Sequence, residues 1–286
     1  MNWSESISRA IEYIENNLTN EITVQDIANN SYISSFYFQK GFSIICGYSI
    51  SEYIRNRRLS LAGNELLNTD NKIIDIALKY GYDSPDSFTK AFTRFHGSNP
   101  TEVRKGGKIR EFAPLRINLI LKGGYTMEYK VVKKESFKVI GLRNNMKYEV
   151  ASTEIPKIWT TFFKKNTSGK IKPKYAVNFD ETMDSNSFDY MICDDYEENF
   201  VVPKEFEIME IPKFTWVIFS CVGPANIKMP EINEKIFTEW LPNSNDYEIA
   251  AGYNIEMYSN PKDYKKGIND EEYYSEIWIP IKKKSK

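Results

Sequence analysis

A repeat inside the first hundred residues limits the possible folds more than any other feature. Asp26-Ile27-Ala28 returns as Asp75-Ile76-Ala77, and further on the offset becomes fifty. Tyr32 then matches Tyr82, Ser34 matches Ser84, Phe38 matches Phe88 and Lys40 matches Lys90, followed by Phe42 with Phe92, Gly47 with Gly97 and Glu52 with Glu102. Each copy reads as a short helix (22–29; 72–79), a tight turn and a second helix (34–44; 84–95), with Ser34 and Ser84 where an N-cap belongs. In the second copy Phe88, Ala91, Phe92 and Phe95 fall at i, i+3, i+4 and i+7, one buried stripe that leaves Ser87, Lys90, Thr93 and Arg94 outside it. In the first copy Phe38 and Phe42 go in, while Ser35, Gln39 and Lys40 face out. A helix, a sharp turn and a helix with polar outer positions is the helix-turn-helix pattern. Between the copies, "SISEYIRNRRLSLAGNELL" (49–67) predicts one long helix, a strut whose Arg55, Arg57 and Arg58 form a candidate phosphate clamp.

Charge does not single out a nucleic-acid binder. Residues 1–110 hold 13 Lys/Arg against 12 Asp/Glu, and the whole chain of 286 residues has a formal net charge of −1. Contact with DNA must therefore come from a few well-placed cations rather than a basic surface. The single histidine, His96, is expected to act as a cation at a helix C-terminus capped by Gly97. It leaves almost no room for triads, Cys-His dyads or multi-histidine metal sites. Three scattered cysteines without ligand spacing, and the lack of any long apolar run, lead us to expect a cytoplasmic protein with no cofactor, no metal and no membrane contact.

Residues 5–105 resemble the DNA-binding domain of the AraC/XylS family, through "VQDIANNSYISSFYFQKGF", "GYSISEYIRNRRLSLA" and "IIDIALKYGYDSPDSFTKAFTRFHGSNPTEVR". The resemblance implies an all-α domain over 1–108 with two helix-turn-helix motifs, whose second helices enter successive major grooves of promoter DNA. Carried over by position, it implies base contacts from Ser35, Phe36, Gln39 and Lys40 and from Asp86, Ser87 and Lys90, with Arg94 on a phosphate. RNA polymerase is the implied protein partner, and the protein is expected to be a regulator rather than an enzyme.

"RKGGKIREFAPLRINLILKGGYTME" (104–128) has two glycine pairs and a proline, and predicts a linker over 109–126, with a short strand in Leu115 to Leu121. From 127 onwards the pattern strand–helix–strand–strand occurs twice, which predicts an α+β domain of two pseudo-symmetric halves with a cleft between them. This half resembles the GyrI-like effector-binding domain through "FTEWLPNSNDYEIA", "IEMYSNP" and "SEIWIPIK". The resemblance implies a small-molecule effector, lipophilic or a cationic aromatic, held by aromatic walls and an acid.

Strand alternation puts Glu276 and Trp278 on one face of "SEIWIPI" and Ile277 and Ile279 on the other. A glutamate among Trp278 and neighbouring tyrosines is costly to desolvate unless a cation partners it, and aromatic walls with one carboxylate suit a lipophilic cation. Glu276 is therefore the first expected effector contact and Glu256 the second, with Tyr190, Trp159, Trp240, Tyr253 and Tyr258 as further walls. Two other readings stay open: a hydrolase of reactive small molecules with Glu276 as general base, its pKa raised by burial, or a module that docks another protein.

Overall fold

The computed structural model describes residues 3–31, 34–116, 127–181 and 187–284. It divides into two compact units, Trp3–Ile33 with Cys46–Ile120, and Ser34–Ile45 with Leu121–Lys286. The expected strand at Leu115 to Leu121 lies mostly outside the described residues.

The helical elements follow the repeat. They are α1 (Trp3–Asn16), α2 (Val24–Ser31), α3 (Ser35–Cys46), α4 (Ile50–Asn68), α5 (Ile73–Lys79), α6 (Pro85–His96) and α7 (Pro100–Arg104). Ser49 caps the strut α4 by accepting from the Glu52 N–H, and Ser84 caps α6 by accepting from the Ser87 N–H. Gly97, at φ +81°, ends α6 in the left-handed conformation that a side chain would resist. Leu59, Ala62 and Leu66 of α4 pack with Ile76, Ala77, Phe88, Phe92 and Val103, so the strut forms the floor of the second motif.

His96 departs from its expected role. It is buried; its Nδ1 accepts from the Arg110 N–H at 3.0 Å, and its Nε2 lies 2.9 Å from the Leu59 carbonyl. An accepting Nδ1 places the proton on Nε2, so the ring is a neutral strap from α6 to α4 and to the segment after α7. Burial lowers its pKa, against the pull of the Leu59 carbonyl and helped by Arg110. Two of the three expected clamp arginines are also structural. Arg57 is buried and grips Glu15 through Nε and Nη2 (2.9 and 2.7 Å), and Arg58 donates to the Leu18 and Asn20 carbonyls at 2.7 Å each. Only Arg55 remains outward, half exposed beside Glu52.

The second unit is built on one antiparallel sheet. Its strands are β1 (Tyr129–Lys134), β2 (Phe137–Lys147), β3 (Tyr175–Phe179), β4 (Ser187–Asp195), β5 (Glu207–Ile211), β6 (Phe214–Val222), β7 (Tyr247–Ile249), β8 (Tyr253–Tyr258) and β9 (Tyr274–Lys283). The spatial order is β1-β6-β9-β8-β3-β4-β2-β5, with β7 on the end of β9. Helix α8 (Ala151–Lys165) follows β2, and α9 (Ala225–Lys235) follows β6 and runs on through a widened π turn, Ile236–Trp240, into the short α10 (Leu241–Asn243).

The two halves, β2–α8–β3–β4 and β6–α9–β8–β9, meet where β3 pairs with β8, Asn178 opposite Asn254. Two strands, β1 and β2, open this unit, and β1 crosses to pair with β6 of the other half. Likewise β5 pairs with β2 rather than staying with its own half.

Alternation divides the sheet cleanly. One face carries the apolar core of Val139, Tyr175, Val177, Phe179, Met191, Trp216, Ile218, Tyr253, Ile255 and Trp278. Glu276 is at the margin of that face, 4% exposed. It takes a 2.8 Å ion pair from Lys130 and hydrogen bonds of 2.6 Å each from the Tyr274 hydroxyl and the Trp278 indole N–H. Burial works to raise its pKa, but Lys130, Tyr274 and Trp278 together hold it below the usual carboxylate range. The raised pKa that a general base would need is not found at this carboxyl.

Two outcomes follow for stability. In Gly63→Ala the new Cβ would fall 2.7 Å from His96 Cε1, a ring fixed by two hydrogen bonds. Overpacking of about 1–3 kcal/mol should exceed the ~1 kcal/mol that alanine gains in a helix, so the melting temperature of the substituted protein should fall. Glu276→Gln should cost about 1–3 kcal/mol at neutral pH. Because the folded-state pKa of Glu276 is depressed, this gap should be complete above the usual carboxylate range and should shrink as pH falls through and below it. Thermal melts of both proteins between pH 7 and pH 3 measure it.

Candidate effector cleft and nucleic-acid interface

On α6 the cap at Ser84 and the N1 proline fix where the helix starts, and Phe88 and Phe92 fix which side goes down. Asp86, Ser87, Lys90 and Arg94 are all exposed on the remaining side. The matching residues of α3 are placed differently. Ser35 and Phe36 are each 1% exposed and Gln39 is 5% exposed, while Lys40 is partly covered. Helix α3 packs within the second unit, where the Tyr37 hydroxyl donates to the Tyr253 carbonyl and Lys40 Nζ donates to Asn254 Oδ1 at 2.5 Å.

The sheet face opposite the apolar core is the one that carries α8 and α9. Asn254, Glu256 and Tyr258 of β8 point to it, with Ala176 and Asn178 of β3, Tyr190 of β4, and Ser275 and Ile277 of β9. Glu256 sits in the middle of this face, partly buried, and accepts from the Tyr258 hydroxyl at 2.8 Å. Trp159 of α8 reaches down to donate to the Tyr190 hydroxyl at 2.9 Å and stands edge-on to Tyr258, ring centres 5.5 Å apart. Burial, with Glu256 adding to it, pushes the phenol pKa of both Tyr190 and Tyr258 well up, so both stay neutral hydroxyls. The same face carries Trp240, packed on Phe219 at 5.2 Å and on Tyr129 at 5.7 Å.

The expected effector residues thus separate into two groups. Glu256, Tyr190, Trp159 and Tyr258 come together, with Trp240 on the same face further along the row. Glu276, Trp278 and Tyr253 belong to the opposite face, where Tyr253 stacks on Phe179 at 5.6 Å and Trp278 packs against Trp216. The cation expected beside Glu276 is the chain's own Lys130.

Two residues not anticipated from the sequence complete the cleft floor. Asn178 and Asn254 face each other across the junction of the halves, both buried, and neither amide nitrogen finds an acceptor among the described residues. A buried amide donor without an acceptor costs about 1–3 kcal/mol. The signal was present: asparagine is disfavoured in strand interiors, yet "AVNFD" and "GYNIEMY" each put one between apolar neighbours. Cation chemistry fits this floor, through one carboxylate, two neutral phenols and an indole. Among the described residues no cluster of His, Cys, Asp and Glu could hold a metal ion, and no helix is long and apolar enough to cross a membrane.

Both parts of the chain are similar to known proteins. Residues 127–282 match the GyrI-like small molecule binding domain, and residues 27–106 match a helix-turn-helix domain. The transcriptional activator AarP of Providencia stuartii is 43% identical over 101 residues, 35% of this chain and 75% of that protein. The right origin-binding protein of Escherichia coli (strain K12) is 24% identical over 297 aligned positions, covering 95% of this chain and 96% of that one. Among solved structures, SAV2435 bound to tetraphenylphosphonium aligns with 55% of this chain and 94% of its own, at 16% identity and a TM-score of 0.46. With more than half of its length matched, the chain belongs to the GyrI-like small-molecule-binding family, carried behind an AraC-type helix-turn-helix domain as in the AraC-type transcription regulators.

Proposed function

We propose that this protein is a one-component transcription regulator. In this reading residues 1–108 bind a promoter, residues 127–286 bind a bulky organic cation, residues 109–126 link them, and RNA polymerase is the partner that reads the outcome. The observation that carries the effector half is Glu256, a partly buried carboxylate flanked by Tyr258, Tyr190 and Trp159 on the face that carries the helices. Geometry favours Glu256 over Glu276, because Lys130 already neutralises Glu276 on the other face.

The DNA half is supported by α6, whose exposed Asp86, Ser87, Lys90 and Arg94 present groups suited to base edges and phosphates. Asp86 suits a cytosine amino group. Effector binding changes transcription only if the ligand's affinity differs between DNA-competent and DNA-incompetent states.

Two measurements test this reading. In gel-shift titrations on the target promoter, Arg94→Ala should weaken binding about equally across sequence variants and reduce the slope of log affinity against log salt by about one. Lys90→Ala should instead relax the preference at one base position. Thermal-shift assays with a panel of aromatic cations should show stabilisation in the wild type and in Glu276→Gln, and none in Glu256→Gln. Stabilisation that survives Glu256→Gln and vanishes in Glu276→Gln would move the site to the other face.

A further inference from the structure

The two second helices of the repeat are not equivalent, and the difference is written in the residues that face outward. With the offset of fifty, Phe36 corresponds to Asp86 and Tyr37 to Ser87, while Phe38 and Phe88 are the shared inward position. In α6 the two outer positions are polar and exposed. In α3 they are aromatic and buried, Phe36 at 1% and Tyr37 at 0% exposure. Phe36, Tyr37 and Phe38 are consecutive and cover roughly 200° of the helix circumference, at about 100° per residue. A helix apolar over that arc needs cover on more than one side.

The rest of the second unit, to which α3 belongs, supplies cover for Tyr37. The Tyr37 hydroxyl is held by the Tyr253 carbonyl, and its ring lies 6.4 Å from that of Phe237 in the widened turn after α9. Three residues on, Lys40 reaches the cleft floor, where its ammonium donates to Asn254 and feels the charge of Glu256. Burial pushes the Lys40 amine down to about 8, with Glu256 pulling it back up. An aromatic ring and a cation one helical turn apart thus sit on the face where an aromatic cation is expected to bind.

We infer that the end of the cleft formed by the Tyr253 carbonyl, Asn254 and Glu256 is a cation site whose resident occupant is α3 of the same chain. Lys40 supplies the charge and Tyr37 the ring. An organic cation binds by displacing them. The inference rests on the cation reading of the effector and adds the competitor. It also fixes the ligand chemistry more narrowly, as a positive charge with an aromatic group nearby and, for the orphaned amide of Asn254, an acceptor atom where the ligand has one. The contest is close because the lysine pays for desolvation: a delocalised or shielded cation is less strongly hydrated than an ammonium and loses less on entry. While α3 is docked, Gln39 is buried and Lys40 is partly covered and held by Asn254, so the ligand-free state holds the first motif out of use and the apparent ligand affinity is reduced by the docked fraction.

The test uses the full chain and tetraphenylphosphonium, a permanent aromatic cation, in calorimetric titrations. Tyr37→Phe deletes one hydrogen bond with little change of shape, and Lys40→Met deletes the charge. Each should tighten probe binding about fivefold or more, the worth of one net hydrogen bond, while Glu256→Gln should abolish it. In parallel, amide hydrogen exchange over residues 35–46 should be slow in the wild type and should accelerate with the probe or with Tyr37→Phe. Probe affinity that is equal in wild type, Tyr37→Phe and Lys40→Met, with exchange of α3 unchanged by the probe, overturns the competition and leaves the effector reading standing. Absence of probe binding in every one of these proteins overturns both.

Discussion

The arrangement of the sensing unit depends on one ladder, the antiparallel pairing of β3 with β8 from Tyr175–Met257 to Phe179–Tyr253. Without it there are two small, separate sheets, each with one helix; with it there is a continuous sheet with the aromatic core on one face and the Glu256 row, under α8 and α9, on the other. Register on this ladder is strict because a slip of one residue would exchange the faces. If β3 slipped, Val177 and Phe179 would leave the core and Asn178 would enter it; if β8 slipped, Tyr253 and Ile255 would leave and Asn254 and Glu256 would enter. On either strand, burial of two apolar side chains, at roughly 1.5–3 kcal/mol each, outweighs the cost of about 1–3 kcal/mol for one unpaired amide. The stability of one face thus holds a set of expensive polar groups in place on the other.

The same division explains why two glutamates that look alike in sequence have different surroundings. Glu256 and Glu276 each sit next to aromatic residues on a strand of the central sheet, and each accepts from a tyrosine two residues away. Opposite Glu276, β1 and β6 bring Lys130, and the carboxylate becomes part of a closed ion pair. Opposite Glu256, β3 brings only Ala176, so its neighbourhood stays open to α8, α9 and α3. The difference is made by cross-strand neighbours, which follow from pairing rather than from local sequence.

That contrast shows how much could be read in advance. The tandem motifs were legible because their signals are local: the offset of fifty, the serine caps, Gly97 and the stripe of Phe88 and Phe92 each act within a dozen residues. The two halves of the sheet domain were legible for the same reason, as alternation and helix periods. The alternation in "SEIWIPI" correctly separated Glu276 and Trp278 from Ile277 and Ile279, but it could not say which face was core, since that needs Lys130, about 146 residues away in the chain. Arg57 and Arg58 looked like a solvent-facing clamp because their partners Glu15, Leu18 and Asn20 are about forty residues away. Phe36-Tyr37-Phe38 carries a signal of its own, since three aromatic residues in a row are too many for a helix that needs only one covered stripe.

The strand order has one further consequence. β9, the last strand in the chain, lies between β6 and β8 rather than at an edge, and β1 and β5 are each paired with the half that the other precedes. During synthesis β8-β3-β4-β2-β5 and the pair β1-β6 can form early, but they cannot be joined into one sheet until β9, which ends at Lys283, has left the ribosome. A truncation inside β9 would leave β1 and β6 cut off from the other strands, because β9 alone bridges β6 to β8.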